Sequence, residues 1–419
     1  YNMADTYFVG LLDDPVQNAA VTLAAPILLA FNAVNNLFGV GCSSMMSRAL
    51  GKKDYETVKK SSAFGFYCSV FSGLLFSMGF TLFRSPLLTV LGAGSDTFSA
   101  TSQYLKWTVT FGAVPSILNV VLAYMVRSEG ASLHASIGTM SGCLLNIVLD
   151  PIFILPWGLG MGAAGAGLAT FLSNCTACLY FFVLLFLKRK NTYVSLSPSL
   201  FRPEKALVAG ICGVGIPASI QNLLNVTGMT VLNNFTSSFG SEAVAAMGIS
   251  QKLNMIPMYI ALGLSQGLMP LISYNYASGN IPRMKKTLLF AVRASVSFMA
   301  AMSILYFFGS GFFIRLFMKN EAIVAYGSSF LRGLCLALPF LCMDFLAVGV
   351  FQACGMGKKA LIFALLRKIV LEIPALFLWN FLYPLYGLAY AQVTAETVLA
   401  AAAVVVLIRL FCRLEKTNR

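Results

Sequence analysis

Apolar stretches of about 20 residues recur along the whole chain, each long enough to cross a hydrocarbon layer of about 30 Å as a helix. In lipid every backbone polar group must be bonded within the protein, so only helices or a closed barrel can span. Barrel strands alternate apolar and polar residues over about ten positions, whereas these segments are continuously apolar. Hydropathy places the spans at 1–11 (incomplete), 18–47, 61–83, 98–126, 133–156, 163–187, 206–236, 243–274, 287–313, 324–353, 360–383 and 387–411. The expected fold class is therefore all-α integral membrane, with twelve transmembrane helices in two six-helix bundles. Charged residues make up 11% of the chain, against about 25% in soluble domains. The longest polar interval, Lys188 to Lys205, leaves no room for a soluble domain. The segment Tyr1 to Leu12 is too short to span alone and reads as the outer half of a first helix whose start is missing. It has no basic region or cleavage site and so is not a signal peptide.

A net charge of +14 raises nucleic-acid binding, and the distribution of the charges argues against it. Loops and helix ends on one side hold Lys52, Lys53, Lys59, Lys60, Lys188, Arg189, Lys190, Arg283, Lys285 and Lys286, with Arg367, Lys368 and the run from Arg409 to Arg419 counted there too. The other side keeps only Arg84, Lys106, Lys252, Arg315, Lys319 and Arg332. This asymmetry is the positive-inside signature: the rich side is cytoplasmic, both termini of the full chain lie there, and the excess is a topology signal in an inner or plasma membrane. Ten cysteines lie mostly within apolar spans, where cysteine acts as a small hydrophobe, and packing accounts for the Cys175–Cys178 pair. With one histidine, His134, no His-based metal site or catalytic triad can be built, so an enzyme is disfavoured and no cofactor or metal is expected beyond a coupling ion.

The chain also repeats itself. Val58-Lys59-Lys60 and Met284-Lys285-Lys286 lie 226 positions apart, as do Tyr104-Leu105-Lys106 and Phe330-Leu331-Arg332. Arg127 to Gly130 corresponds to Gln352 to Gly355 at 225, and Gly165 to Ala169 corresponds to Gly387 to Ala391 at 222. Six helices return to the starting side, so two such halves are parallel repeats with a substrate cleft expected between them. The expected organisation is an N-terminal lobe 1–187, a cytoplasmic linker 188–205 and a C-terminal lobe 206–419.

Ionisable residues inside a span are costly and point to function. Asp5, Asp150, Asp344, Glu372 and Glu396 qualify. Asp150 corresponds to Glu372 at an offset of 222, and Asn119 to Asp344 at 225. Asn146 and Asp150, four apart, share a helix face. Counting about 1.5 Å per residue puts Asp5, Asp150 and Thr170 in the outer half of the membrane and Asn119 nearer the midplane, where all can line one chamber. Burial disfavours a charged carboxyl group, so such a group can exchange H⁺ or, with Asn and Thr oxygens, hold Na⁺. In the second half Lys368 stands four residues before Glu372, as an internal ion pair would. Gln221, Asn222 and Asn225 polarise the seventh helix without an acid, and Asp344 and Glu396 complete the candidate C-lobe substrate or coupling group.

Asp5 through Gly10 (DTYFVG), GCSSMMSRALG from Gly41 to Gly51, Arg127-Ser128-Glu129-Gly130, NIVLDP from Asn146 to Pro151 and GAAGAGLAT from Gly162 to Thr170 together resemble the multidrug and toxic compound extrusion (MATE) family, in the bacterial branches of the DinF and MepA exporters. The resemblance covers essentially the whole chain. It implies two V-shaped lobes and export of small amphiphilic or cationic compounds against an inward H⁺ or Na⁺ gradient. It also implies an N-lobe cation site at Asp5, Asn119, Asn146, Asp150 and Thr170. Branches with an acid on the seventh helix depart from this sequence, which favours N-lobe coupling. Membrane lipid is the surrounding partner, and a monomer suffices. The alternative is a flippase for a lipid-linked oligosaccharide precursor, disfavoured because the charges within the spans are mostly acidic.

Overall fold

The computed structural model describes residues 2–317 and 320–417. Tyr1, Lys319 and Arg419, which enter the reading of the chain's start and of its charge sidedness, lie outside the described residues.

Among the described residues the regular structure is helical. Helix α1 is Asn2–Gly10. Helix α2, Pro15–Gly51, crosses as one span and contains a π-turn at Asn36–Val40. It begins at Asp14, whose carboxylate accepts from the Val16 amide, with Pro15 at the first helical position, where its missing N–H has no partner to lose. Helix α3 is Tyr55–Leu82, capped by Asp54. Helix α4 is a bent pair, Phe98–Phe111 and Ala113–Ser128, angled by 51°. Helices α5 (Ser132–Ile154) and α6 (Ala163–Leu187) complete the first six.

The next six follow the same order. They are α7 (Lys205–Ser237), α8 (Ser241–Ala277), α9 (Ile281–Arg315), the bent pair α10 (Glu321–Cys335 and Leu338–Ala353, 45°), α11 over 357–382 and α12 (Leu388–Thr417). Eight of these helices are long and apolar enough to cross a membrane, and the two bent pairs make ten. Helix α1 contributes only nine described residues. Helix α11 is interrupted by a π-helical stretch, Leu366–Glu372, that carries three charged side chains. With these two the order is the expected twelve.

Contacts divide the chain into units 1–219 and 220–419. The division falls inside α7 and not at the polar interval. The first turns of α7 pack into the first unit: a Cβ on Gly41 would lie 2.6 Å from the Ile211 carbonyl, and Ser219 Oγ donates to the Ala33 carbonyl. The 188–205 segment is itself fixed to this unit. Glu129 accepts from Thr192 Oγ1 and from the Tyr193 and Val194 amides. Tyr67 donates to the Leu196 carbonyl, and Tyr55 stacks on Tyr193.

Each unit buries one helix on nearly all sides. In the first it is Ala113–Ser128, with Ile117, Val121, Leu122 and Met125 fully enclosed. In the second it is Leu338–Ala353, with Leu341, Cys342, Ala347 and Phe351 enclosed. These helices correspond at 225 positions, and so do their contacts. Ser47 Oγ donates to the Ser128 carbonyl at 3.1 Å, and Ser273 Oγ to the Ala353 carbonyl at 2.8 Å. Outward faces carry Phe290, Phe308, Phe312 and Phe381, each at least 65% exposed, as a surface in contact with acyl chains requires.

Candidate functional site

In the first unit α1, α5 and α6 bring Asp5, Asn146, Asp150 and Thr170 together, with Tyr104 added from α4. Asp5 and Asp150 are both fully buried. Tyr104 donates to Asp5 Oδ2 at 2.9 Å, and Thr170 Oγ1 lies 3.2 and 3.1 Å from the two Asp5 oxygens. Asn146 Nδ2 donates to Asp150 Oδ1 at 3.0 Å and reaches Thr170 Oγ1 at 3.4 Å. The four-residue spacing on an unbroken α-helix produces the Asn146–Asp150 contact. Thr170 and Asn146 thus link the two acids, Thr170 Oγ1 bonding Asp5 and receiving Asn146, which in turn donates to Asp150. Asp150 Oδ2 and Asn146 Oδ1 have no hydrogen-bond donor. The two acids thus share a buried network whose other hydrogen-bonding side chains are neutral, and two oxygens of α5, one carboxylate and one amide, remain available to a proton or a small hard cation.

Asn119 is placed differently. Its amide donates to the Pro115 and Ser116 carbonyls and to Asn174 Oδ1 at 3.0 Å. It therefore pins α4 to α6 and makes none of the bonds that join the four residues above. Tyr104 was legible only as a repeat marker. The available signal was its hydroxyl, since a buried tyrosine needs a partner for that group.

In the second unit the structure separates the candidate group into three. Gln221 accepts from Gln352 Nε2 at 3.3 Å. Asp344 and Glu396 face Arg367: its Nε donates to Glu396 Oε1 at 2.6 Å, and its Nη1 lies 3.6 Å from Asp344 Oδ2. The guanidinium also sits 4.9 Å over the Phe345 ring. Glu372 is gripped by Lys368 beside a cavity that Asn225 also lines, while Asn222 is half-buried. Arg367 and Lys368 are 2% and 7% exposed. Each is spent on buried acids and neither is exposed in a loop. The Lys368–Glu372 pair is the one expected from their four-residue spacing inside the 360–383 span. Among the described residues no three His, Cys, Asp or Glu side chains group as metal ligands, and all ten cysteines are free.

A bundle of this kind, with acids buried in its spans, defines a polytopic membrane transporter. The MatE family description matches residues 1–152 and 217–378, and the chain belongs to that family. It is 36% identical over 417 residues to the "Multidrug export protein MepA" of Staphylococcus aureus, covering 99% of this chain and 90% of that protein. The Staphylococcus saprophyticus protein of the same name is 36% identical over 416 residues, with the same coverage. Among solved structures, the outward-facing conformation of a multidrug resistance MATE family transporter of the MOP superfamily superposes with a TM-score of 0.93. It is 26% identical, and the alignment covers 99% of this chain and 92% of that one. The chain is thus a multi-pass protein of a bacterial membrane.

Proposed function

We propose that this chain is a secondary active antiporter that exports small amphiphilic or cationic compounds in exchange for H⁺ or Na⁺. The single observation that carries the reading is the facing pair Asp5 and Asp150, held by Tyr104, Thr170 and Asn146 with no basic side chain among those partners. Two like charges in a dry chamber repel strongly, so the pair favours binding of a monovalent cation. Neutralising the pair changes which arrangement of α1, α5 and α6 is lowest in energy. Alternating access then couples that ion's inward movement to release of the compound outside. The export function printed for the staphylococcal relatives supports the substrate class. The membrane is the inner or plasma membrane, with both termini of the full chain cytoplasmic, and a monomer is sufficient.

The test is ethidium efflux from vesicles with ΔpH and ΔNa⁺ imposed separately, for the wild type and for Asp5→Asn and Asp150→Asn. One gradient drives efflux in the wild type, and both variants lose it while remaining folded. Full activity in both variants refutes this site. No wild-type efflux under either gradient turns the assignment to the lipid-linked precursor flippase.

A further inference from the structure

The repeat relating the two units carries one replacement with a chemical consequence. Lys368-Ile-Val-Leu-Glu372 on α11 stands 222 positions after Asn146-Ile-Val-Leu-Asp150 on α5, and the three central residues are identical. At the same offset Thr170 corresponds to Gln392 and Asn174 to Glu396. The offset has a three-dimensional counterpart. A Cβ on Gly167 would lie 3.1 Å from Trp107 Cβ, and a Cβ on Gly333 would lie 2.6 Å from Ala389 Cβ. Gly167 and Ala389 correspond at 222, Trp107 and Gly333 at 226.

In the first unit the acid of this motif receives a neutral amide, Asn146 Nδ2 at 3.0 Å. In the second it receives an ammonium. Lys368 Nζ lies 2.8 and 2.6 Å from the two Glu372 oxygens, and both side chains are buried. Gly228 on α7 makes room for the pair: a Cβ there would lie 3.0 Å from Lys368 Nζ and 3.2 Å from Glu372 Oε1. The other charges nearby are spent on one another, since Arg367 binds Glu396 and faces Asp344. The chain thus places its own monovalent cation against the second acid, where its counterpart Asp150 is bonded by no basic side chain among the described residues.

We propose that Lys368 is a built-in occupant of a second cation site, so that only the first unit exchanges its ion with the surroundings. This rests on reading Asp150 as an ion-coupling carboxylate. The site around the pair is equipped for an ion. Lys368 and Glu372 line a cavity of ≈ 540 Å³, measured with its open mouth, together with Asn225, Gln251, Asn254 and Gln392. Asn254 is 6% exposed, yet its Oδ1 has no donor. If the ammonium is withdrawn, an amide oxygen and a carboxylate remain to hold H⁺ or Na⁺, the same donor types as in the first unit. A pair that served packing alone would leave no such site, only a destabilised helix.

The test replaces Lys368 by Asn, which rebuilds the Asn-Ile-Val-Leu-acid motif in the second unit. Ions bound per purified full-length protein are counted in two arms. One is radiolabelled Na⁺ by equilibrium dialysis, and the other is the protonated-carboxyl stretch in the infrared in Na⁺-free buffer. The wild type holds one ion, and Glu372→Gln leaves that count unchanged. Lys368→Asn raises it to two in one arm, and adding Glu372→Gln returns it to one. Lys368→Gln serves under the same criterion if the Asn variant is not recovered as folded protein. A monodisperse variant that gains no ion, or a wild type that loses one on Glu372→Gln, overturns the proposal. Failure of the coupling reading shows separately, as a wild-type count that Asp5→Asn and Asp150→Asn leave unchanged.

Discussion

Arg367 holds together the most highly charged buried cluster of the second unit, and its removal has a calculable consequence. Its Nε bonds Glu396 at 2.6 Å, its Nη1 lies 3.6 Å from Asp344, and all three side chains are at most 3% exposed. The trio sets two carboxyl groups against one guanidinium. Arg367→Gln leaves two buried acids without their bonded guanidinium, and removing one partner of a buried pair costs about 3–5 kcal/mol. For a unit of roughly 200 residues each kcal/mol shifts Tm by about 2–4 °C, which gives a fall of about 6–20 °C. The triple replacement Asp344→Asn, Arg367→Gln, Glu396→Gln turns the trio into amides, the chemistry the first unit uses at Asn119 and Asn174. It should recover at least half of the loss, because breaking such a cluster costs more than neutralising it. Thermal unfolding is followed by labelling of the buried cysteines. Cys335 and Cys342 report the second unit and Cys42 the first. If Arg367→Gln shifts Cys342 labelling by less than about 2 °C, or the triple variant is no more stable than the single, the guanidinium does not hold the cluster.

Two further predictions concern the first unit. Glu129→Ala removes the acceptor for the Tyr193 and Val194 amides. Because hydrogen bonds to charged groups contribute about 1.5–3 kcal/mol, hydrogen exchange at these amides should accelerate about tenfold or more. Burial raises the Glu129 carboxyl above its ordinary value, so the native state holds that proton more tightly than the unfolded chain. Its contribution to stability therefore declines as pH rises from the ordinary value through the raised native one and is flat above, and Glu129→Gln should abolish that slope in a Tm-against-pH series. Gly41→Ala drives a methyl into the Ile211 carbonyl and should destabilise by about 1–3 kcal/mol. Gly213→Ala, which meets nothing within 4 Å, should be neutral or stabilising by about 0.4–1 kcal/mol; equal Tm values for the two would refute the close approach of α2 and α7.

What the sequence disclosed follows from what lipid makes conspicuous. Asp5, Asn146, Asp150 and Thr170 stand out because a polar residue in an apolar span has few reasons to be there, and helical spacing fixes the face of the α5 pair. Asn119 was equally conspicuous, but its partner Asn174 lies 55 residues away on another helix, and no period connects them. The bends of α4 and α10 fall near Gly112 and Ala337, 225 apart, and were hidden because each half-helix keeps its apolar pattern across the break. The four-residue spacing of Lys368 and Glu372 disclosed their ion pair, while the partners of Arg367, Asp344 and Glu396, lie on other helices and no period connects them.

The two units meet one problem, a polar group at an equivalent place in an apolar bundle, with different chemistry. The first uses amides and hydroxyls: Asn119 with Asn174, and Asn146 with Asp150 and Thr170. Hydrogen bonds between amides contribute about 0.5–1.5 kcal/mol each and those to a charged group about 1.5–3, less than the cost of breaking a buried ion pair. The second uses ions, Arg367 with Asp344 and Glu396, and Lys368 with Glu372. A buried ion pair can be a poor source of net stability yet costs about 3–5 kcal/mol to break, which ties α10, α11 and α12 to one arrangement. Duplication supplied two equivalent frames. The replacements at 146/368 and 174/396 leave the first with uncompensated acids joined by hydrogen bonds, and the second with its acids already matched from within the chain. On the antiport reading proposed above, one frame able to respond suffices to couple an ion, and the uncompensated acids of the first unit favour that frame.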